Sequence, residues 1–209
     1  MFSLQKLLSK DDMFYDLLEA SAGEAERSVQ ALNKVLASPD KLPSLQEFHG
    51  PKEADKRITE RINTALVGAF VTQLEREDIE LLSAVLYKIP KTVEKFVERL
   101  MISAHVAKHH DFSRHAHLLN SSTQQVSSMV QQLRRPPTVG RIKEMDATLE
   151  QIEKESDALL LSLYKDLYNN AHPANKVLAM KDLFDLLEKI LSRCREAGAM
   201  VTQIVLKHA

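Results

Sequence analysis

Residues that turn or break a helix are scarce in this sequence. The 209 residues include only five glycines and seven prolines, and aromatic residues make up 5% of the chain. Hydrophobic residues make up 44% and charged residues 27%, so the chain can bury a sizeable core beneath a solvated surface. Few turn-forming residues together with many Leu, Ala, Glu and Lys predict an all-α protein.

Other features that would indicate a particular compartment or partner are also missing. The one cysteine, Cys194, excludes an internal disulfide and favours a reducing compartment. The formal net charge is -1, without the basic excess that nucleic-acid binding usually shows. No signal peptide is evident, and the longest apolar stretch, Ala65 to Val71, is far shorter than a membrane span. We therefore predict a cytoplasmic protein without a nucleic-acid partner.

Apolar residues recur three and four positions apart over three long segments. The stripes run from Ile79 to Leu100, from Ile142 to Leu163 and from Met180 to Val205. This spacing is typical of long helices that pack lengthwise, and no segment shows the alternation of a β-strand bounded by turns. Such stripes also leave homo-oligomerisation open.

The breaks between the stripes divide the chain into six predicted helices. A weak similarity between residues 53–62 and 155–164 relates the two halves. We therefore predict one domain over residues 1–209, built as two three-helix bundle repeats at 1–110 and 111–209. The predicted helices span about Asp12 to Leu36, Lys52 to Phe70, Glu75 to His109, Ser113 to Leu133, Thr138 to Asn170, and Ala174 nearly to the end.

Recognised catalytic motifs are absent from the sequence. It contains no G-x-S-x-G, no P-loop and no G-x-G-x-x-G. A di-iron bundle needs a Glu-x-x-His on each of two helices, and no Glu-x-x-His occurs. Cys194 lies on an apolar stripe, which predicts a core residue rather than a nucleophile. A metal-dependent hydrolase would also need a general base, for which there is no candidate. We predict that the protein is not an enzyme.

A row of acids follows the apolar stripe of the predicted fifth helix, and the sixth helix has the same arrangement. If the two helices are antiparallel neighbours, these rows face each other and repel unless a cation, protons or basic side chains neutralise them. Two interpretations stay open: a solvated face with Lys154, Lys181, Lys189 and Arg193 as partners, or a site for a hard cation. The acids are Asp146, Glu150, Glu153 and Asp157 in the fifth helix, and Asp185 and Glu188 in the sixth.

Five histidines lie between His105 and His117, where the third helix should end and the fourth begin. His105 and His109 are four residues apart, a spacing that can hold Zn, Ni or Cu on one helix face. No H-E-x-x-H motif and no nearby cysteine support that site. We favour a solvated histidine group, because a helix C-terminus suits a cationic side chain.

Several sequence elements occur in the order of a known family. Over nearly its whole length the chain resembles the PhoU-like proteins, specifically the Pit-accessory branch of phosphate-transport regulators. The REDI element at residues 76–79 is its most specific piece. The resemblance implies a cytoplasmic, all-α protein with two three-helix halves. The elements are EADKRITERI at 53–62, LEREDIELLSAVL at 74–86, EKESDALLLSLYKDLY at 153–168, LFDLLEKI at 183–190 and IVLKHA at 204–209.

The resemblance implies candidate metal ligands in the second half, because related PhoU proteins bind metal clusters through E/D-x-x-x-D motifs on adjacent helices. Glu153 and Asp157 fit one such motif, and Glu188 fits the first acid of its partner motif. Ser192 stands where the second acid of the partner motif should be. With Asp185 beside them, these acids form a candidate site for a divalent or trivalent metal ion: Fe, Zn, Mg, Mn or Ca.

The corresponding first-half site is predicted to be lost. Asp55 fits the end of a motif and is a candidate remnant of the site, but Pro51 replaces the leading acid. Tyr87 and Lys91 stand where the acids of the partner motif should be, and Lys91 could supply a fixed positive charge in place of the cation.

The resemblance also implies a function, since genes of this branch commonly accompany inorganic phosphate permeases. We predict a non-enzymatic accessory or regulatory protein of inorganic phosphate transport. It would dock on a phosphate permease, peripheral to the inner face of the plasma membrane. The alternative is a metal-binding helical protein without a transporter partner.

Overall fold

Six long helices account for most of the chain. The computed structural model describes residues 4–37, 44–107, 109–136 and 138–209, with the backbone alone for residues 4–11. Within those ranges there is no β-strand, which confirms the all-α prediction. The helices are α1 (Leu4–Leu36), α2 (Gln46–Gly68), α3 (Arg76–Ala107), α4 (Ser113–Val130), α5 (Val139–Asn169) and α6 (Ala174–Lys207), and a 3-10 turn at Gln131–Arg134 extends α4.

Two helices begin earlier than the sequence pattern predicts. The first begins at Leu4 rather than near Asp12, because the Leu, Gln and Lys residues of this segment are strong helix formers. The second begins at Gln46 rather than Lys52 and contains Pro51. A proline removes one backbone hydrogen bond. The helix nevertheless continues on both sides of it, and the added first turn buries Phe48, which is only 1% exposed.

The helices form two groups of three that share one hydrophobic core. Within each group, α1 to α3 and α4 to α6, every helix contacts the other two. Contacts between α1 and α4 and between α3 and α6 join the groups, and buried apolar side chains from all six helices form one continuous cluster. The division of a single domain into repeats 1–110 and 111–209 stays a prediction.

The helices α5 and α6 approach each other closely at Gly198. A Cβ atom at this position would lie 2.2 Å from Leu149 Cδ1. Any larger residue at this position would therefore force the Leu149 side chain to move, and glycine lets the two helices pack with Leu149 in place.

None of the helices, over the residues that the structure describes, combines the length and apolar character needed to cross a bilayer.

Candidate functional site

The acids predicted to hold a metal lie on α5 and α6, which pack against each other. Glu153 and Asp157 are on α5, and Asp185 and Glu188 are on α6. Glu153 and Asp185 are half-buried, whereas Asp157 and Glu188 are exposed. Across the part of the chain that the structure describes, no three His, Cys, Asp or Glu side chains are grouped to hold a metal ion. The structure does not bring these four acids into a preformed coordination site, and metal binding stays a prediction.

Both carboxylate oxygens of Asp185 have partners. The Tyr164 hydroxyl donates to Oδ1 at 2.6 Å, and the Lys181 ammonium donates to Oδ2. Burial alone would raise the pKa of Asp185, but the hydrogen bonds from Lys181 and Tyr164 outweigh it and hold that pKa below its ordinary value. Burial and the Asp185 carboxylate both raise the pKa of Tyr164, which therefore stays a donor. Asp185 is therefore an ionised carboxylate that accepts one hydrogen bond at each oxygen.

A single arginine neutralises two acids of α5. The Arg195 guanidinium binds both oxygens of Asp146, with 3.3 Å between Nη2 and Oδ2, and its Nε lies 3.6 Å from Glu153 Oε2. Arg195 follows Glu188 by seven residues, which is two helical turns and therefore the same helix face. That spacing could have identified Arg195 from the sequence.

The basic partners expected from the sequence divide into two groups. Lys154 pairs with Glu150 at 2.7 Å and Lys181 pairs with Asp185, as the ion-paired interpretation requires. Arg193 instead pairs with Glu196 on its own helix. No ion pair of Lys189 occurs within the described residues, and its side chain is exposed.

Asp55, the candidate remnant of a first-half site, faces the core rather than the surface. Its side chain is fully buried, and neither carboxylate oxygen has a hydrogen-bond partner. Ser21 and Glu24 of α1 are its polar neighbours, but the Ser21 hydroxyl is also without a partner. Burial raises the pKa of Asp55 to about 7; the nearby Ser21 hydroxyl opposes this rise, and the Glu24 charge adds to it. Its role as a remnant of a metal site stays a prediction.

Lys91, the predicted replacement for a first-half cation, is exposed, and its Nζ lies 5.9 Å from the centroid of the Tyr87 ring. In this half, the half-buried Lys52 pairs with the buried carboxylate of Glu94 at 2.8 Å. His49 also contacts Glu94. This pairing between α2 and α3 was not predicted, since neither residue belongs to an acidic motif.

The REDI element fastens the start of α3 to two other helices. The Arg76 guanidinium donates to the carbonyls of Leu66 and Ala69 at the end of α2. The buried Asp78 carboxylate accepts two hydrogen bonds from Lys207 near the end of α6, at 2.8 and 2.9 Å. The element therefore has a clear structural role, connecting the middle of the chain to the closing IVLKHA element.

The histidine group is not uniformly solvated, which corrects the interpretation made from the sequence. His105, His109 and His117 are exposed, but His115 is only 1% exposed and His110 is half-buried. The turn between α3 and α4 folds onto Phe184 of α6, a contact that no local pattern reveals. Burial lowers the pKa of His115 to about 4 and also lowers that of His110, so both rings are neutral at pH 7.

The six-helix arrangement matches solved PhoU-like structures. A PhoU-like protein from Shewanella oneidensis MR-1 superposes with a TM-score of 0.81 at 12% identity, over 92% of this chain and 99% of the other. A second protein from the same organism, described as a "putative PhoU-like phosphate regulatory protein", superposes with a TM-score of 0.69 at 12% identity, over 93% and 99% of the two chains. The chain therefore has the PhoU-like fold.

The sequence comparison agrees with the fold. The chain is 24% identical over 215 residues to a curated protein of Rhizobium meliloti (strain 1021) named "Putative pit accessory protein", covering 98% of this chain and 97% of that protein. No protein-family model matches the chain. The predicted resemblance to the PhoU-like Pit accessory proteins is confirmed.

Proposed function

We propose that this protein is an accessory regulator of inorganic phosphate transport that docks on a phosphate permease. The observation that carries the proposal is the end-to-end similarity to the Pit accessory relative, which covers 98% of this chain and 97% of that protein. The similarity therefore extends over both halves of this chain. The PhoU-like fold of the phosphate regulatory neighbour supports the same role.

The proposed docking contact is formed by the last turn of α2 and the segment that connects it to α3. Val67, Phe70 and Val71 are 89%, 98% and 64% exposed, so three large apolar side chains project from one end of the bundle. Grouped apolar side chains of this kind mark contacts with a protein or membrane partner. Docking would regulate transport only if this protein binds one conformation of the permease more tightly than another. This role places the protein at the cytoplasmic face of the membrane.

The proposed role is non-enzymatic. The free thiol, Cys194, is fully buried, and burial raises its pKa to about 12. A thiol in this environment is not available as a nucleophile. Asp185 and Glu153 are held by basic side chains, and the carboxylate of Asp55 is sealed in the core.

The test is purification of the tagged full-length protein in mild detergent from its native cells, grown at high and at low phosphate. We expect mass spectrometry to recover a phosphate permease with the wild type, and at least tenfold less of it with Phe70→Ser. Ile102→Ser is the matched control, because Ile102 is 69% exposed and lies near the other end of α3. Recovery of the protein alone under both conditions would refute the proposal.

Metal binding between α5 and α6 is a separate proposal and the basis of the alternative function. Glu153, Asp157, Asp185 and Glu188 would supply hard oxygen ligands to such an ion. Metal content of the purified protein should then be stoichiometric and should fall in a Glu153→Gln, Asp157→Asn double variant. Equal metal content in the double variant and the wild type would exclude this site.

A further inference from the structure

A small cavity lies at the end of the bundle where α3 joins α4 and α5 joins α6. Its volume is about 100 Å³, whereas one buried water needs only roughly 10–15 Å³. It is therefore large enough for a small polyatomic ion. Its polar lining consists of His109, His110, Asp166, His172 and Lys176, and Phe184 forms part of the apolar wall.

The ammonium group of Lys176 is the permanent positive charge of the cavity. Its Nζ lies 3.3 Å from Nδ1 of His172, which leaves two of its three N–H donors for other partners. Within the described part of the chain, no carboxylate lies within ion-pair distance of Lys176. The acid in the lining, Asp166, accepts a hydrogen bond from the Asn170 amide at 2.6 Å and lies 3.9 Å from His172. The positive charge of Lys176 is thus not neutralised by a direct partner.

The His110 ring also lines the cavity and carries an unsatisfied polar atom. Its Nε2 is buried and has no hydrogen-bond partner. Ring contacts fix its orientation, with centroid distances of 4.4 Å to Phe112 and 5.2 Å to Phe184. Buried polar atoms are nearly always paired in folded proteins, so an orphaned one beside a cavity indicates a missing partner. In the tautomer protonated at Nε2, this atom is a hydrogen-bond donor.

We propose that this cavity is a binding site for a small tetrahedral oxyanion. Lys176 supplies the positive charge, and the His110 ring, which packs between Phe112 and Phe184, supplies a hydrogen bond. Lys176 is the third residue of the 34-residue helix α6, so the helix dipole adds to the positive potential there. Charge-assisted hydrogen bonds of this kind are about twice as strong as neutral ones.

The same residues disfavour a metal ion. The Lys176 ammonium faces the lone pair of His172 Nδ1 and would repel a cation from the cavity. Asp166 is the only carboxylate in the lining. The choice of inorganic phosphate over other oxyanions rests on the proposed function. A regulator with such a site would bind the ion that its permease transports and could respond to its concentration.

The experiment is calorimetric titration of the full-length protein with inorganic phosphate at low ionic strength and pH 7. We expect saturable binding of one ion per chain, competition by sulfate, and no competition by the larger glycerol phosphate. Lys176→Met should weaken binding at least tenfold, whereas Lys189→Met, an exposed lysine on the same helix, should bind like the wild type. No saturable binding at millimolar phosphate, an equal loss in both variants, or a strict requirement for a divalent metal would overturn the proposal.

Two further measurements separate the site from folding and from docking. His110→Phe preserves the aromatic packing while removing the ring nitrogens, so it should weaken phosphate binding several-fold with an unchanged thermal melt. In the wild type, phosphate should shift the imidazole NMR signals of His110 but not those of the exposed His208. Phosphate binding without recovery of a permease would refute only the proposed docking. Recovery of a permease without phosphate binding would refute only this site.

Discussion

Asp55 makes the stability of this protein depend on pH, and replacing it with asparagine should remove much of that dependence. The carboxyl is fully buried between α1 and α2, and neither oxygen has a hydrogen-bond partner. Desolvation disfavours the charged form, so folding favours the protonated acid. Asparagine has almost the same shape and cannot ionise.

The size of the effect follows from the two pKa values. The pKa of Asp55 is about 7 in the folded protein and 3.8 without the fold. Between these values the folded state binds more protons than the unfolded chain, so the free energy of unfolding falls as the pH rises. Stabilisation by the protonated acid is complete below about pH 4 and is lost through pH 7. Each unit of difference between the two pKa values corresponds to 1.36 kcal/mol, so the free energy of unfolding falls by about 4 kcal/mol in total.

Glu24 contributes in the same direction. Burial raises its pKa, although the charges of Arg27 and Arg57 oppose this effect. Removing the Asp55 carboxyl therefore flattens the pH dependence without abolishing it. Because the Glu24 charge also raises the pKa of Asp55, the two acids are coupled, and Asp55→Asn should ease ionisation of Glu24.

The assay is urea unfolding followed by circular dichroism between pH 5 and pH 8.5. We expect the free energy of unfolding of the wild type to fall by about 2–4 kcal/mol over this range, and that of Asp55→Asn to fall by much less. Asp157→Asn is the control, because Asp157 is exposed and its replacement should leave the pH dependence unchanged. The same pH dependence in Asp55→Asn and in the wild type would refute the reasoning.

Two other substitutions test the packing of the bundle by urea unfolding. Gly198→Ala should lower the free energy of unfolding by about 1–3 kcal/mol, because its Cβ would meet Leu149 at 2.2 Å. Gly140→Ala is the control and should be neutral or stabilising, because no atom lies within 4 Å of the added Cβ. Equal effects of the two substitutions would contradict the close approach at Gly198. Lys207→Met should destabilise the protein by leaving the buried Asp78 carboxylate without its cation. An unchanged unfolding midpoint would show that this pair does not hold α6 to α3.

The long helices could be predicted from the sequence because their signal is local and repeated. The stripes from Ile79 to Leu100 and from Met180 to Val205 lie within α3 and α6. The predicted starts of α1 and α2 lie too late in the chain, because the end of a helix depends on only a few residues. In α2 the buried Phe48 lies before Pro51, and the helix continues through that proline.

The side-chain partners were less predictable, since they depend on which faces of distant helices meet. The acid row of α5 is visible in the sequence, and Lys154 pairs with Glu150 as expected. Asp146 and Glu153 instead contact Arg195, which was not among the expected partners. The burial of His115 depends on Phe184, which lies 69 positions away in the chain. The spacing of residues within one helix does not reveal such a contact between distant parts of the chain.

The ion pairs along α5 and α6 set a condition on the proposed metal. Arg195 binds Asp146 and Glu153, and Lys181 binds Asp185, so a metal ion at these acids must displace the basic side chains that hold them. Removing the competing cation should therefore strengthen metal binding. We expect Arg195→Met to bind a divalent metal at least tenfold more tightly than the wild type by calorimetry, while losing stability without metal. If Arg195→Met binds metal no better than the wild type, Glu153 is not a ligand and its carboxylate serves only to pair the two helices.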